Sequence, residues 1–239
     1  MPPGDPVGFF EAMIEIWKPY LWVFITSLLL TLIATPIVRR LAMARGIFDR
    51  PDDVLKPHKQ PIPYLGGVAL FIGVAAPLLI VAGGGLCERS EALIVILATA
   101  ALMLTLGLLD DLKDISPKAR IAGQVVCALV LAFAGIRFAA IPAWHLGDGE
   151  WLNFAPWAFI AIGVIVQIVL IVGASNAMNL LDGLDGLCSG VTVIISLAFL
   201  LLATHLVVYF RFFSAPHYVS AELIIVLSLA MLGAAVGFL

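Results

Sequence analysis

Residues 156–174 read PWAFIAIGVIVQIVLIVGA, and residues 175–186 continue as SNAMNLLDGLDG. The first stretch carries no charge and is long enough to cross the ~30 Å hydrocarbon layer of a bilayer, which takes about 20 apolar residues as a helix. Directly after it, Asn176, Asn179, Asp182 and Asp185 recur at three-residue intervals, and Gly183 and Gly186 remove side-chain bulk beside the acids. A helix that runs out of the membrane into a ladder of amides and acids is the unit from which the rest of the chain is read.

Six further runs have the same character: Tyr20–Val38, Leu65–Ala82, Ala92–Leu109, Ile121–Phe138, Val191–Tyr209 and Ala221–Leu239. Of the 239 residues, 62% are hydrophobic and 12% charged, with a mean hydropathy of +1.11. A water-soluble domain is about 45–50% apolar and about 25% charged, so that class is excluded. No ten-residue alternating pattern marks a barrel. The fold expected is all-α: a polytopic membrane bundle of about seven transmembrane helices, treated as one domain over residues 1–239. The first run is followed by Arg39-Arg40 rather than by small residues, which makes it a permanent span and not a cleaved leader. A net charge of −3 gives no reason to expect a nucleic-acid partner. Cys87, Cys127 and Cys188 lie too far apart for a zinc motif or a disulfide framework.

The basic residues orient the bundle. Arg39, Arg40, Arg45, Arg50, Lys56 and Lys59 follow the first run, and Lys113, Lys118 and Arg120 follow the third, making nine of the thirteen Lys and Arg. Cytoplasmic loops carry the excess of Lys and Arg. The N-terminus is therefore expected outside and the odd-numbered loops inside; parity alone puts residues 175–190 on that same face.

Those three loops hold the chemistry. His58 and Lys59 precede the stiff stretch Pro61-Ile62-Pro63-Tyr64-Leu65-Gly66-Gly67, where they suit a polyanionic substrate at the interface or a plain helix-entry turn. Asp110 and Asp111 close the third run. Acids at a helix C-terminus oppose the macrodipole, so capping does not account for them. Adjacent carboxylates leaving hydrocarbon call for a shared cation or proton, which suits metal-assisted phosphate chemistry or proton removal from a phosphate. In the third loop, the four polar residues would stack along one edge of a three-per-turn helix or sweep slowly around an α-helix. Carboxylate and carboxamide oxygens suit Mg²⁺, with Mn²⁺ as the alternative, rather than zinc.

Taken together, HKQPIPYLGG (58–67), GLLDDLKDISPKARIAGQ (107–124) and NAMNLLDGLDGL (176–187) resemble the polyprenyl-phosphate N-acetylhexosamine-1-phosphate transferases. The first motif resembles the branch that transfers GlcNAc-1-phosphate, whereas the branch handling phospho-MurNAc-pentapeptide usually has a TPTMGG-like sequence in place of IPYLGG. The resemblance implies a UDP-N-acetylhexosamine donor, an undecaprenyl or other polyprenyl phosphate acceptor, release of UMP, and a multi-pass enzyme of the bacterial plasma membrane with a cytoplasmic active site. It implies that Asp110, Asp111 and Asp182 form the catalytic acids. Either one of the Asp110/Asp111 pair deprotonates the lipid phosphate, or an aspartate attacks as a covalent nucleophile. It makes Asn179 a Mg²⁺ ligand, places Asp185 at the uracil and Asp182 beside the diphosphate, and puts His58, Lys59, Arg120 and Asn176 in the substrate-binding set. Arg120 stands where many members have Lys, exchanging a point charge for a fork.

Family members continue past the seventh helix into a PA-x-x-F-x-GD-x-GS loop that supplies the other protein ligand for Mg²⁺. The expectation is accordingly of a longer protein, with these 239 residues inactive by themselves. Two other readings compete. An intramembrane prenyltransferase would use Asp110-Asp111-x-x-Asp114 as a DDxxD motif, and a transporter would line a polar path near the midplane. His205 is the lone ionisable residue well inside a run, and Trp151 and Trp157 read as interfacial anchors. Gly83–Gly85 and Gly233–Gly237 permit close helix packing, including that of a homodimer.

The topology is open to direct test. Single cysteines at Lys113 and Leu184 should both react with a membrane-impermeant maleimide from the cytoplasmic side; labelling from opposite sides would overturn the arrangement.

Overall fold

The computed structural model describes residues 6–49, 62–63, 65–87, 89–113, 115–138, 156–181, 186–213 and 221–239. These residues form eight α-helices: α1 (Pro6–Trp17), α2 (Leu21–Ala44), α3 (Gly66–Gly84), α4 (Ser90–Lys113), α5 (Pro117–Phe133), α6 (Pro156–Leu181), α7 (Leu187–Phe213) and α8 (Ala221–Phe238). A 3₁₀ turn, Lys18–Tyr20, joins α1 to α2. A two-residue antiparallel pair links β1 (Phe48–Asp49) to β2 (Ile62–Pro63), with Phe48 opposite Pro63 and Asp49 opposite Ile62.

The seven expected spans correspond to α2 through α8, and the bundle is all-α apart from that short β pair. Among the described residues, six helices are long and apolar enough to cross a membrane. The exception is α5, which at 17 residues is shorter than the span expected at Ile121–Phe138. Gly135 ends it early by adopting a left-handed φ of +82°. The Gly135 and Ile136 amides then donate back to the Ala132 and Leu131 carbonyls, a six-to-one and five-to-two pattern that closes a helix. Elsewhere the helices outrun the apolar stretches. α2 continues through Arg39-Arg40 to Ala44, and α6 continues through Asn176 and Asn179 to Leu181. Polar residues do not break a helix once it leaves hydrocarbon, because water satisfies what their side chains expose.

The chain divides into two compact units, residues 1–94 with 184–239, and residues 95–183; α4 begins in the first and continues into the second. In the first unit, α8 packs against α2, α3 and α7. Much of α8 is buried, including Ile225, Val226, Ala230, Gly233, Ala234 and Gly237. Lipid is as apolar as leucine, so such helices gain by close backbone approach rather than by burying oil. A Cβ on Gly233 would fall 2.3 Å from the Phe24 carbonyl oxygen, and one on Gly237 would fall 2.5 Å from that of Leu28. The register advances in the same sense on both helices, so α8 runs parallel to α2. At one end of this unit Gly66 of α3 lies against the Phe238 ring, and Gly186, just before α7, faces Leu239. Toward the other end, Trp17 Nε1 donates to Thr204 Oγ1 at 2.7 Å, and Tyr20 Oη donates to the Leu86 carbonyl at 3.0 Å. α3 and α7 thus run opposite to α8.

In the second unit, α5 packs on α6, and Leu106 of α4 covers Gly123 of α5. Ser116 caps α5 by accepting from the Ala119 amide at 3.3 Å, and Pro117 supplies a helix-ready φ at the first position. The cap starts α5 soon after α4 ends at Lys113, bringing Arg120 back toward the acids.

Close packing at Gly233 gives a prediction. Gly233→Ala should destabilise the detergent-solubilised protein by about 1–3 kcal/mol through overpacking. Gly83→Ala, where no atom lies within 4 Å of the new Cβ, should leave the melting temperature unchanged or slightly raised. Equal melting of the two variants would contradict the packing.

Candidate functional site

Within the second unit, the C-terminal end of α4, the N-terminal end of α5 and the C-terminal end of α6 form one polar cluster. Its centre is an ion pair between Arg120 Nη2 and Asp110 Oδ2 at 2.5 Å. Both side chains are largely covered, with 16% exposure for Asp110 and 29% for Arg120. The contact is monodentate. Asp110 Oδ1 and Arg120 Nε are buried and have no hydrogen-bond partner among the described residues. A buried acceptor and a buried donor on the same pair are costly unless something completes them. Asp111 follows on α4, where a step of about 100° turns it to the exposed side.

One turn further along α5, Gln124 is 4% exposed and spends both ends of its amide on α6. Its Nε2 donates to Ser175 Oγ at 3.1 Å, and its Oε1 accepts from Asn176 Nδ2 at 2.9 Å. Asn176 Nδ2 also donates to the Val172 carbonyl of its own helix at 2.8 Å. Asn179, three residues on, is exposed. The ladder is therefore split by regular α-helical geometry: Asn176 turns toward α5, while Asn179 stands about 60° away around α6. A second amide link joins the same two helices farther from this end. Gln167 donates to the Ala128 and Ile136 carbonyls, each at 3.1 Å, and accepts from the Phe138 amide at 3.0 Å.

The structure thus brings Asp110, Arg120 and Asn176 into one cluster with Gln124 and Ser175, and places Asp111 and Asn179 exposed on its two outer helices. His58, Lys59, Asp182 and Asp185 lie outside the described residues. Gln124, Ser175 and Gln167 carry roles that the motif reading left out. The usable signal was an amide in the middle of an apolar run, because an unpaired amide in hydrocarbon costs several kcal/mol, of order that of a lost buried hydrogen bond.

The donor set suits a hard cation. Mg²⁺ is held by one or two carboxylates together with substrate phosphates and water. Asp110 Oδ1 is an uncompensated carboxylate oxygen, and Asn179 presents a carboxamide. Among the described residues no group of three His, Cys, Asp or Glu side chains forms an all-protein cage. Burial pushes the Cys87 thiol up, with the nearby Glu222 and Glu91 charges adding to the shift.

The fold and the cluster together define a polytopic membrane protein with charged and carboxamide side chains gathered at helix ends. Comparison with known proteins is specific. Residues 93–239 match glycosyl transferase family 4, and the chain belongs to that family. It is 36% identical over 177 residues to a probable undecaprenyl-phosphate N-acetylglucosaminyl 1-phosphate transferase of Bacillus subtilis, covering 72% of this chain and 44% of that protein. It is 31% identical over 182 residues to the decaprenyl-phosphate N-acetylglucosaminephosphotransferase of Mycolicibacterium smegmatis, covering 73% and 42%. It is also 34% identical over 200 residues to a phospho-N-acetylmuramoyl-pentapeptide-transferase of Pelotomaculum thermopropionicum, covering 74% and 58%. The chain spans about two fifths to three fifths of the length of these relatives.

A double-mutant cycle tests the ion pair. Asp110→Asn combined with Arg120→Gln should show a coupling of about 1–3 kcal/mol in detergent unfolding, above an exposed pair and below a fully buried one. Additive single effects would place the two groups apart.

Proposed function

We propose that this chain is part of an enzyme that transfers N-acetylglucosamine-1-phosphate from UDP-GlcNAc to undecaprenyl phosphate, with release of UMP. The Asp110–Arg120 pair carries the reading, because it fixes a guanidinium beside a carboxylate at the polar ends of α4 and α5. A guanidinium fork suits phosphate oxygens, and in a water-poor setting such a preorganised charge is worth more than in bulk water. The relatives named above support a polyprenyl phosphate acceptor. The positive-inside pattern supports a cytoplasmic active site in a bacterial plasma membrane.

The reaction is a displacement at phosphorus. An oxygen of the lipid phosphate forms a bond to the β-phosphorus of the donor, and the bond from that phosphorus to the bridging oxygen breaks, so that UMP leaves with the electron pair. Asp111, on the exposed side of α4, takes the proton from the lipid phosphate. Asp110 holds Arg120, and the remaining guanidinium donors face phosphate oxygens. Mg²⁺ or Mn²⁺, when bound, supplies charge neutralisation at the diphosphate, with Asn179 and a carboxylate as the holding groups. His58 and Lys59 draw the polyanion in, Asp182 serves the diphosphate and Asp185 the uracil, while Asn176 acts from behind through its bond to Gln124.

The test is a chimera in which residues 1–239 replace the matched segment of the Bacillus subtilis relative, assayed for UMP release with labelled UDP-GlcNAc and undecaprenyl phosphate in detergent. Mg²⁺-dependent transfer should appear, and the 239-residue chain alone should turn over far more slowly. Asp111→Asn should lower kcat by about 10²–10⁴, the range for losing a general base. Asp110→Asn, which keeps a hydrogen bond to Arg120, should cost less. Release of pyrophosphate would point to prenyl transfer instead, and ion flux unaffected by Asp110→Asn would point to transport.

A further inference from the structure

Two glutamines tie α5 to α6, and they differ in what lies beside them. Gln167 closes the far end of α5, where its partners are the backbone of Ala128, Ile136 and Phe138. Gln124 is bonded to side chains, Ser175 and Asn176, at the polar end. It stands one turn, about 6 Å, from Arg120 on the same face of α5, while its partner Asn176 stands about 4.5 Å along α6 from Asn179. Bonding to both ends of a single amide fixes direction as well as distance. Sliding α5 along α6 by one residue would break both bonds and leave a buried amide unpaired. Gln124 is 4% exposed, so water offers no substitute partner.

We propose that Gln124 is a positioning residue that locks α5 to α6 and so sets the spacing between Arg120 and Asn179, the groups that would hold opposite sides of a diphosphate. The assignment of those two groups rests on the transferase reading above; the locking itself does not. Arg120 is thereby anchored from two directions, by Asp110 on α4 and by the register that Gln124 imposes on α5. A residue of this kind touches neither phosphate nor cation and acts through its neighbours.

The experiment compares Gln124→Met with Gln167→Met, both of which keep volume and lose the amide. Spin labels at Lys118 and Leu180, both exposed, report the distance between the polar ends of α5 and α6 in the purified chain. Equilibrium dialysis with labelled UMP and Mg²⁺ reports the site. Gln124→Met should shift or broaden the distance and weaken UMP binding about ten- to hundredfold, the usual cost of removing a group that orients a ligand-holding side chain. Gln167→Met should leave both readouts as in the unsubstituted protein. An unchanged distance in Gln124→Met, a changed distance with unchanged binding, or equal effects of the two variants would each overturn the proposal. Should the unsubstituted protein bind no UMP, the distance measurement alone decides whether Gln124 sets the register, and turnover by the chimera decides the transferase reading.

Discussion

Hydrocarbon offers no water to complete a hydrogen bond, so a polar group within the bundle is costly unless it finds its partner in the protein. That constraint shapes the two units differently. In the first, it selects against polar contacts and in favour of backbone proximity: Gly233 and Gly237 let α8 lie on the carbonyls of Phe24 and Leu28. Some hydroxyls there are returned to their own helices, as with Thr204 Oγ1 donating to the Leu200 carbonyl at 2.7 Å and Thr35 Oγ1 to the Thr31 carbonyl at 2.7 Å, whereas Ser27 Oγ and Thr31 Oγ1 are buried without a partner among the described residues. In the second unit the same constraint forces amides to pair across helices. The pairs at Gln124 and Gln167 hold α5 against α6 at both ends.

Helical geometry then divides labour among neighbours in sequence. Asp110 and Asp111 would repel each other if both faced the same solvent. A step of about 100° separates them, so one meets Arg120 and the other stays exposed. Asn176 and Asn179 are divided by the same logic, one turned to Gln124 and the other outward. A motif that looks like a repeated residue type is thus two pairs with unlike surroundings: the inner member of each is bonded to a neighbouring helix, and the outer member is exposed.

The spans were legible because a membrane helix is written in composition, and a run of apolar residues has few other uses. Their ends were less so. α2 and α6 continue past their apolar stretches because Arg39-Arg40 and Asn176 to Leu181 propagate a helix as well as leucine does once water is available. α5 stops early on a single conformational feature, the left-handed Gly135, which hydropathy does not register. α1 escaped because Glu11 and Glu15 interrupt its apolar pattern, although Ile16 is buried, as is Tyr20 in the turn that follows. The candidate site was legible as residue types and not as pairings. Asp110 and Arg120 are ten residues apart on different helices, and Gln124 finds Asn176 across more than fifty residues. Chain folding, not local pattern, chooses such partners.

The monodentate contact between Asp110 and Arg120 shows how stability and chemistry meet in this cluster. A bidentate fork would engage both carboxylate oxygens and two guanidinium nitrogens. Here one carboxylate oxygen and one guanidinium nitrogen are joined, while Oδ1 and Nε stay buried without a partner among the described residues. Such atoms weaken the isolated fold, since each forfeits the hydrogen bond it would have in water. Such a deficit is relieved only by a partner with the complementary pattern, an acceptor for Nε and a donor or cation for Oδ1. On the transferase reading proposed above, a phosphate accompanied by a divalent metal would have that pattern, and its binding would return to the protein part of the stability that the open pair withholds.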